Sequence, residues 1–220
     1  MTLNKIRFYK LFINDYYFFS INFFTIFQTC LEKKIFIPRF CYHSKLNIAG
    51  NCRMCLIEEK KSLKPFAACA VGISSNLILF TKTKLIKNLR EGVLSYLLAN
   101  HPLDCPICDQ GGECDLQDQT MVFGGDKSRF YEKYKKTTID KNLGPIKTSL
   151  NRCIHCARCT RFLENCVNNP FLNLLGRGYS TEISFYKKNF ANLDLLFGNI
   201  IDLCPVGALL SKNYSFMARP

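Results

Sequence analysis

The placement of cysteine constrains this chain more than any other feature of its 220 residues. Eleven of its thirteen cysteines, together with one of its three histidines, fall into three separate groups of four. The first is Cys41, Cys52, Cys55 and Cys69; the second is His101, Cys105, Cys108 and Cys114; the third is Cys153, Cys156, Cys159 and the remote Cys204. Only Cys30 and Cys166 are left over. The spacings are dominated by C-x2-C pairs, which make poor disulfide partners and good joint metal ligands. A reducing compartment follows, and the N-terminus lacks the basic, apolar, small-residue order of a secretory signal.

Apolar residues make up 48% of the chain, enough for a folded protein, and the formal net charge is +13. The basic residues are spread along the chain rather than clustered. Thiolates that ionise to bind metal also lower the charge of the loaded protein. The charge therefore reads as a solvated surface facing acidic partner subunits, not as a nucleic-acid site. The Phe- and Ile-rich stretch Leu11–Cys30 is interrupted by Asn14, Asp15, Asn22 and Gln28, well short of the roughly 20 apolar residues of a membrane span.

The expected fold class is α+β. Ile6–Ile13 and Tyr16–Phe19 are β-favouring runs joined by the turn signal Asn14-Asp15, and read as a hairpin. Thr25–Leu31 reads as a short helix burying Ile26, Phe27, Cys30 and Leu31, which makes Cys30 a small buried hydrophobe. Ala49-Gly50-Asn51 is a loop where the missing Cβ of glycine lets backbone approach a metal centre. Met54–Glu58 reads as a strand, and Leu77–Thr83 as one that closes a small mixed sheet with the hairpin. In Lys84–Asn100 the apolar positions Ile86, Leu89, Val93 and Leu97 predict an amphipathic helix ended by His101-Pro102. Asp126–Lys147 is polar and lysine-rich, and reads as a loop. The expected modules are 1–83, 84–125 and 126–220, with metal ligation stabilising segments too poor in apolar residues to build their own cores.

In the first group, C-x10-C-x2-C-x13-C suits a two-iron cluster, although its first gap is longer than the plant-type spacing. Four thiolates equally suit tetrahedral zinc. In the second group His101 reads either as a helix cap or as a neutral ligand that completes three thiolates. In the third, C-x2-C-x2-C supplies three corners of a cubane, and the fourth comes from Cys166 or Cys204. Cys166 has neither the three-residue gap nor the following proline of a local ferredoxin run. Cys204-Pro205 has the turn chemistry of a remote ligand and is preferred.

The runs Pro38–His43, Ala49–Cys55, Asn100–Asp118 and Gly198–Leu209 resemble the large iron-sulfur subunit of respiratory complex I, and Arg152–Cys156 and Gly176–Gly178 agree. The resemblance covers nearly the whole chain. It implies a β-grasp [2Fe-2S] ferredoxin-like domain followed by small, mostly helical and irregular [4Fe-4S] modules. It assigns a [2Fe-2S] cluster to Cys41, Cys52, Cys55 and Cys69, one [4Fe-4S] cluster to His101, Cys105, Cys108 and Cys114, and another to Cys153, Cys156, Cys159 and Cys204. The implied role is relaying single electrons from the NADH-flavin subunit toward ubiquinone in the peripheral arm, with no substrate-converting site on this chain. The implied partners are that flavin subunit and the quinone-side iron-sulfur subunits; neither nucleic acid nor a direct membrane span is expected.

The first two ligand groups also occur in soluble NAD-linked hydrogenases and formate dehydrogenases, which usually carry paired C-x2-C-x2-C-x3-C runs where this chain has one triplet. A zinc-dependent interaction module is the third class. The family continues past the position of Pro220 into a domain resembling molybdopterin oxidoreductases, expected here as a separate chain or lost. No room for a presequence is expected ahead of the hairpin. The abundance of Phe, Ile, Asn and Lys, without Trp, points to AT-rich coding and to a mitochondrially encoded chain on the matrix side of the inner membrane.

Overall fold

The structure is a computed structural model that describes residues 6–62, 64–131, 135–141, 143–168, 170–185 and 195–214. Residues 1–5, where the absence of a presequence was expected, lie outside this range, as do 132–134 and 142 of the expected loop and the last six residues of the third module. The chain divides into two compact units, one of residues 1–39 and 48–93, the other of 40–47 and 94–220. The segment 84–93 of the expected second module thus falls in the first unit, while 40–47, which carries Cys41, falls in the second. The remainder of the second and third modules forms one unit.

In the first unit, β1 (Phe8–Ile13) and β2 (Tyr16–Ile21) form the expected hairpin. Asn14 takes the left-handed conformation, φ 53°, which asparagine tolerates better than most residues. Its backbone N–H donates to Leu79 O at 2.9 Å, and its side chain exchanges hydrogen bonds with Thr81. Helix α1 (Ile26–Glu32) starts at a capping box formed by Thr25 and Gln28. That arrangement satisfies two N-terminal N–H groups.

Ile26, Phe27 and Cys30 are buried as expected, but Leu31 is 51% exposed. Thr29 takes the inner face instead and shares a 2.7 Å hydrogen bond with Ser20. After the loop come β3 (Leu56–Glu59), β4 (Phe66–Ala67) and β5 (Leu77–Phe80). The sheet order is β2-β1-β5-β3-β4, with β1 and β5 parallel and the other pairs antiparallel. The small mixed sheet is therefore present.

Helix α2 (Lys84–Asn100) has the expected bounds. Thr83 Oγ1 accepts from Ile86 N–H at 3.2 Å and donates to Glu58 at 2.8 Å. Its buried stripe is Ile86, Arg90 and Leu94, while Leu89, Val93 and Leu97 are only half-buried. The apolar spacing misplaced the stripe because a buried arginine occupies its centre. Arg90 Nη2 donates to Leu56 O at 3.0 Å, so one end of the buried guanidinium is anchored to the sheet.

The second unit combines short helices with short strands. Helices α3 (Asp115–Phe123), α4 (Arg158–Asn165) and α5 (Ile200–Leu203) alternate with strands β6 (Ile146–Thr148), β7 (Leu172–Leu175), β8 (Glu182–Phe185) and β9 (Leu209–Ser211). Two antiparallel pairs result, β6 with β9 and β7 with β8. Leu143, Ile146, Leu150, Leu163, Leu172, Ile200 and Leu209 build the core, which also takes in Cys159, with Cys153 and Cys204 packed against it. Among the described residues, no helix is long and apolar enough to cross a membrane.

Cys30 carries a testable consequence of this packing. Burial pushes its thiol from the ordinary 9.0 up to about 12. Above pH 9 the unfolded chain gains stability by ionising Cys30 while the folded chain cannot. The stabilisation is thus complete below that pH and lost as the pH rises toward 12. Unfolding by urea at about pH 10.5 is expected to cost about 2 kcal/mol less than at pH 8 from this group alone. A Cys30→Ala chain should have a lower midpoint at pH 8 but a flatter alkaline slope; an equally steep slope would refute the assignment.

Candidate metal centres

Three of the first group lie in the first unit. Leu56 pairs with Ala67, and Ala68 N–H extends the ladder to Cys55 O at 3.0 Å. These bonds bring the Cys52–Cys55 loop beside Cys69. Gly50 and Arg53 flank Cys52 in left-handed conformations, φ 64° and 56°. A Cβ on Gly50 would meet only Ala70 Cβ at 3.6 Å, so glycine serves the backbone angle there and not close packing. Arg53 is exposed. The cation that matters is Arg90, whose guanidinium burial pulls down to about 10 while the neighbouring Cys55 opposes that fall.

Cys41 belongs to the second unit, where two arginines of α4 hold its segment. Arg161 Nη2 donates to Cys41 O and, at 3.3 Å, to Cys156 O, while Nη1 donates to Asn47 O. Arg158 Nη2 donates to Tyr42 O at 3.3 Å. One guanidinium thus ties the backbone of a first-group cysteine to that of a third-group cysteine. Sequence spacing carried no signal for either arginine.

All four residues of the second group border one cavity of about 280 Å3. His101 stands just past the end of α2, whose last carbonyls, Leu98 O and Ala99 O, each accept from Lys135 Nζ at 3.0 Å. Its Nδ1 is buried with no hydrogen-bond partner, a cost of about 1–3 kcal/mol unless a ligand satisfies it. Burial lowers the pKa of this imidazole, with Lys135 and Arg152 adding to the effect, so its neutral, ligating form is favoured. Cys105 opens a 3-10 turn, Gly112 takes φ 94°, and Cys114 is the N-cap of α3. Burial raises the Cys114 thiol, and the backbone N–H groups of Gln117 and Leu116 at the start of α3 oppose that rise, as expected at a helix N-terminus. The segment after Cys204 closes the cavity: a Cβ on Gly207 would stand 2.4 Å from Cys108 Sγ.

Cys153, Cys156, Cys159 and Cys204 line a second, narrower cavity. The ladder from Ile146↔Ser211 to Thr148↔Leu209, continued by Ser149 N–H to Ala208 O at 2.9 Å, brings the remote cysteine in. His155 and Ala157, on either side of Cys156, are left-handed at φ 53° and 58°. Such conformations cost about 1–3 kcal/mol each outside glycine, and here they turn the loop so that successive sulfurs border one space. Cys166 caps the far end of α4, is exposed, and lines neither cavity.

Burial pushes the Cys153 thiol up to about 12 and Cys156 to about 11, and raises Cys159 and Cys204 as well, with neighbouring sulfurs adding to the effect at the first three. Four such thiols do not ionise together without a cation among them. Among the described residues, no three His, Cys, Asp or Glu side chains converge closely enough for a single metal ion. The second donor set surrounds an open space of about 280 Å3, while the third closes tightly around a much smaller one. Their sulfur chemistry, the unpartnered His101 nitrogen and the glycine in the wall fit an iron-sulfur cluster.

Two family models match this part of the chain: the NADH-ubiquinone oxidoreductase-G iron-sulfur binding region over residues 90–129, and the ferredoxin-like domain of NADH-quinone oxidoreductase subunit 3 over 144–210. The NADH-ubiquinone oxidoreductase 75 kDa subunit of Reclinomonas americana is 60% identical over 196 residues, covering 89% of this chain and 28% of that protein. The chain is homologous to that subunit.

The mitochondrial 78 kDa subunit of Neurospora crassa is 56% identical, covering 88% of this chain and 26% of its own length. The 75 kDa subunit of Acanthamoeba castellanii is 54% identical, covering 94% and 31%. The chain thus spans roughly 26–31% of these curated relatives. A chain in the crystal structure of an NAD+-reducing [NiFe]-hydrogenase in its H2-reduced state has a TM-score of 0.80 at 25% identity, covering 96% of this chain and 90% of that one. The chain itself has mixed α and β structure, with the ferredoxin-like match lying over residues 144–210.

Proposed function

We propose that this chain is the electron-carrying iron-sulfur portion of a complex I peripheral arm, passing single electrons from an NADH-oxidising flavin subunit toward ubiquinone. In this reading Cys41, Cys52, Cys55 and Cys69 hold a [2Fe-2S] cluster, and the mixed sheet with α1 is a β-grasp module. His101, Cys105, Cys108 and Cys114 hold one [4Fe-4S] cluster, and Cys153, Cys156, Cys159 and Cys204 the other. The observation that carries the reading is the pair of four-donor sets, each bordering its own cavity in one unit. The 60% identity to a complex I subunit supports it.

Bound clusters would supply reversible one-electron storage. The chain's own part is to hold sulfur and nitrogen donors at fixed positions, to bury them from water, and to place cations near them. Arg90 serves the first set, Arg152 the second and Arg158 the third. The partners in this reading are the flavin subunit and the quinone-side iron-sulfur subunits. The location is the matrix side of the mitochondrial inner membrane, with the chain encoded in the mitochondrion; finding its gene in the nucleus would overturn the last point.

The likeness to a hydrogenase chain over 90% of its length favours a second reading, the iron-sulfur subunit of an NAD-linked hydrogenase. Against it stands the single C-x2-C-x2-C triplet closed by Cys204. The test is anaerobic reduction followed by EPR, with iron and zinc counted on the same sample. About ten irons per chain, distributed over one two-iron and two four-iron signals, are expected. A colourless, EPR-silent, zinc-loaded chain would sink both readings. Co-purification with quinone-reducing rather than nickel-bearing subunits decides between them.

A further inference from the structure

Arg152 directly precedes Cys153, a donor of the third set, yet its side chain lines the cavity of the second. That side chain is only 9% exposed. Its Nε donates to Asp104 Oδ2 at 3.2 Å, Nη2 lies 3.2 Å from the same oxygen, and Nη1 donates to Gly207 O at 3.5 Å. Asp104 in turn directly precedes Cys105. A cation and a carboxylate are thus fixed against one another in the wall of the His101 site, held by three segments that the ligand spacing alone does not connect.

Reduction of a cluster adds one electron and one negative charge to its site. A fixed cation nearby stabilises the reduced form and a fixed anion opposes it; the effect is stronger for the buried Arg152 than for Asp104, whose side chain is 37% exposed. We propose that Arg152 and Asp104 form the charge pair that sets the reduction potential of the cluster held by His101, Cys105, Cys108 and Cys114. Arg152 makes that cluster easier to reduce, and Asp104 moderates the effect. A salt bridge serving only to tether the 3-10 turn Leu150–Arg152 would make a different mark: loss of either partner would loosen the site in the same way.

The inference rests on the reading of this donor set as a cluster site, and opposite signs separate the two. The full chain, reconstituted anaerobically with iron and sulfide, is titrated with a one-electron reductant such as dithionite and followed by EPR. Arg152→Gln is expected to move the midpoint of this four-iron signal to more negative potential, Arg152→Lys to leave it near the wild type, and Asp104→Asn to move it to more positive potential. Unchanged midpoints, or shifts of one sign in both the Gln and Asn variants, would overturn the charge pair. If Arg152→Gln does not retain the cluster, Asp104→Asn decides alone, and the absence of a positive shift there refutes the proposal. A wild-type chain that yields no such signal refutes the cluster reading itself, whereas a normal wild-type signal with the wrong variant signs refutes only the charge pair.

Discussion

Cys204→Ser is expected to abolish one four-iron EPR signal and lower the iron content from about ten to about six per chain, whereas Cys166→Ser leaves every signal in place. The two cysteines compete as the fourth donor to the same triplet, and their surroundings differ completely. Cys204 ends α5 and lines the cavity of Cys153, Cys156 and Cys159. Cys166 is exposed at the far end of α4. The effect should reach beyond the metal, because Cys153, Cys159 and Cys204 pack with the apolar core of the second unit. Where ligands double as core residues, the free energy of binding metal is also free energy of folding. Thermal unfolding of the Cys204→Ser chain should therefore begin at a clearly lower temperature. A full set of signals in Cys204→Ser, or a missing one in Cys166→Ser, would show that the fourth donor is misassigned.

Gly207→Ala should remove the other four-iron signal although residue 207 is not a ligand. Its Cβ would lie 2.4 Å from Cys108 Sγ, closer than side chains approach one another, and 3.2 Å from Gln110 Cβ, a tight contact. Overpacking of this kind costs about 1–3 kcal/mol where the surroundings can yield. Here the atom that must yield is a donor sulfur, so the strain falls on ligand geometry. Gly198→Ala is the matched control, since a Cβ there meets nothing within 4 Å. Iron content should again fall to about six in Gly207→Ala and stay near ten in Gly198→Ala. Retention of both four-iron signals in Gly207→Ala would show that the Cys204 loop does not close the His101 cavity.

These two variants bear on the same structural fact, that Cys204–Ala208 serves both cavities. Cys204, Pro205, Val206 and Ala208 line that of the third set, and Gly207 lines that of the second. Pro205 O also accepts from Asp115 N–H at 3.2 Å, at the start of the helix that follows Cys114. A change in this loop should therefore be felt at both sites.

Local features were legible from the residues alone. Asn14-Asp15 marks the hairpin turn because asparagine tolerates the left-handed angle that residue 14 takes. The bounds of α2 follow from its apolar period and from the proline after His101. The burial of Cys30 follows from its place on the inner face of α1. Where a polar residue lies inside, the same logic failed: Arg90 occupies the middle of the α2 stripe and Thr29 replaces Leu31 on α1. Both hydrogen-bond to partners distant in sequence or on a neighbouring strand, which periodicity does not register.

The sequence by itself determined the candidate donors and their grouping, because C-x2-C and H-x3-C spacings reach only a few residues and the chain's own turns suffice to gather them. The tertiary structure decided which distant residues join them. The pairing of β6 with β9 carries Cys204 to a triplet from which 44 intervening residues separate it. Arg152, Asp104 and Gly207 meet at the His101 cavity, and Arg161 joins the backbones of Cys41 and Cys156. Such meetings depend on long-range backbone pairing and on the burial of charged side chains. Neither leaves a short-range pattern in the order of residues.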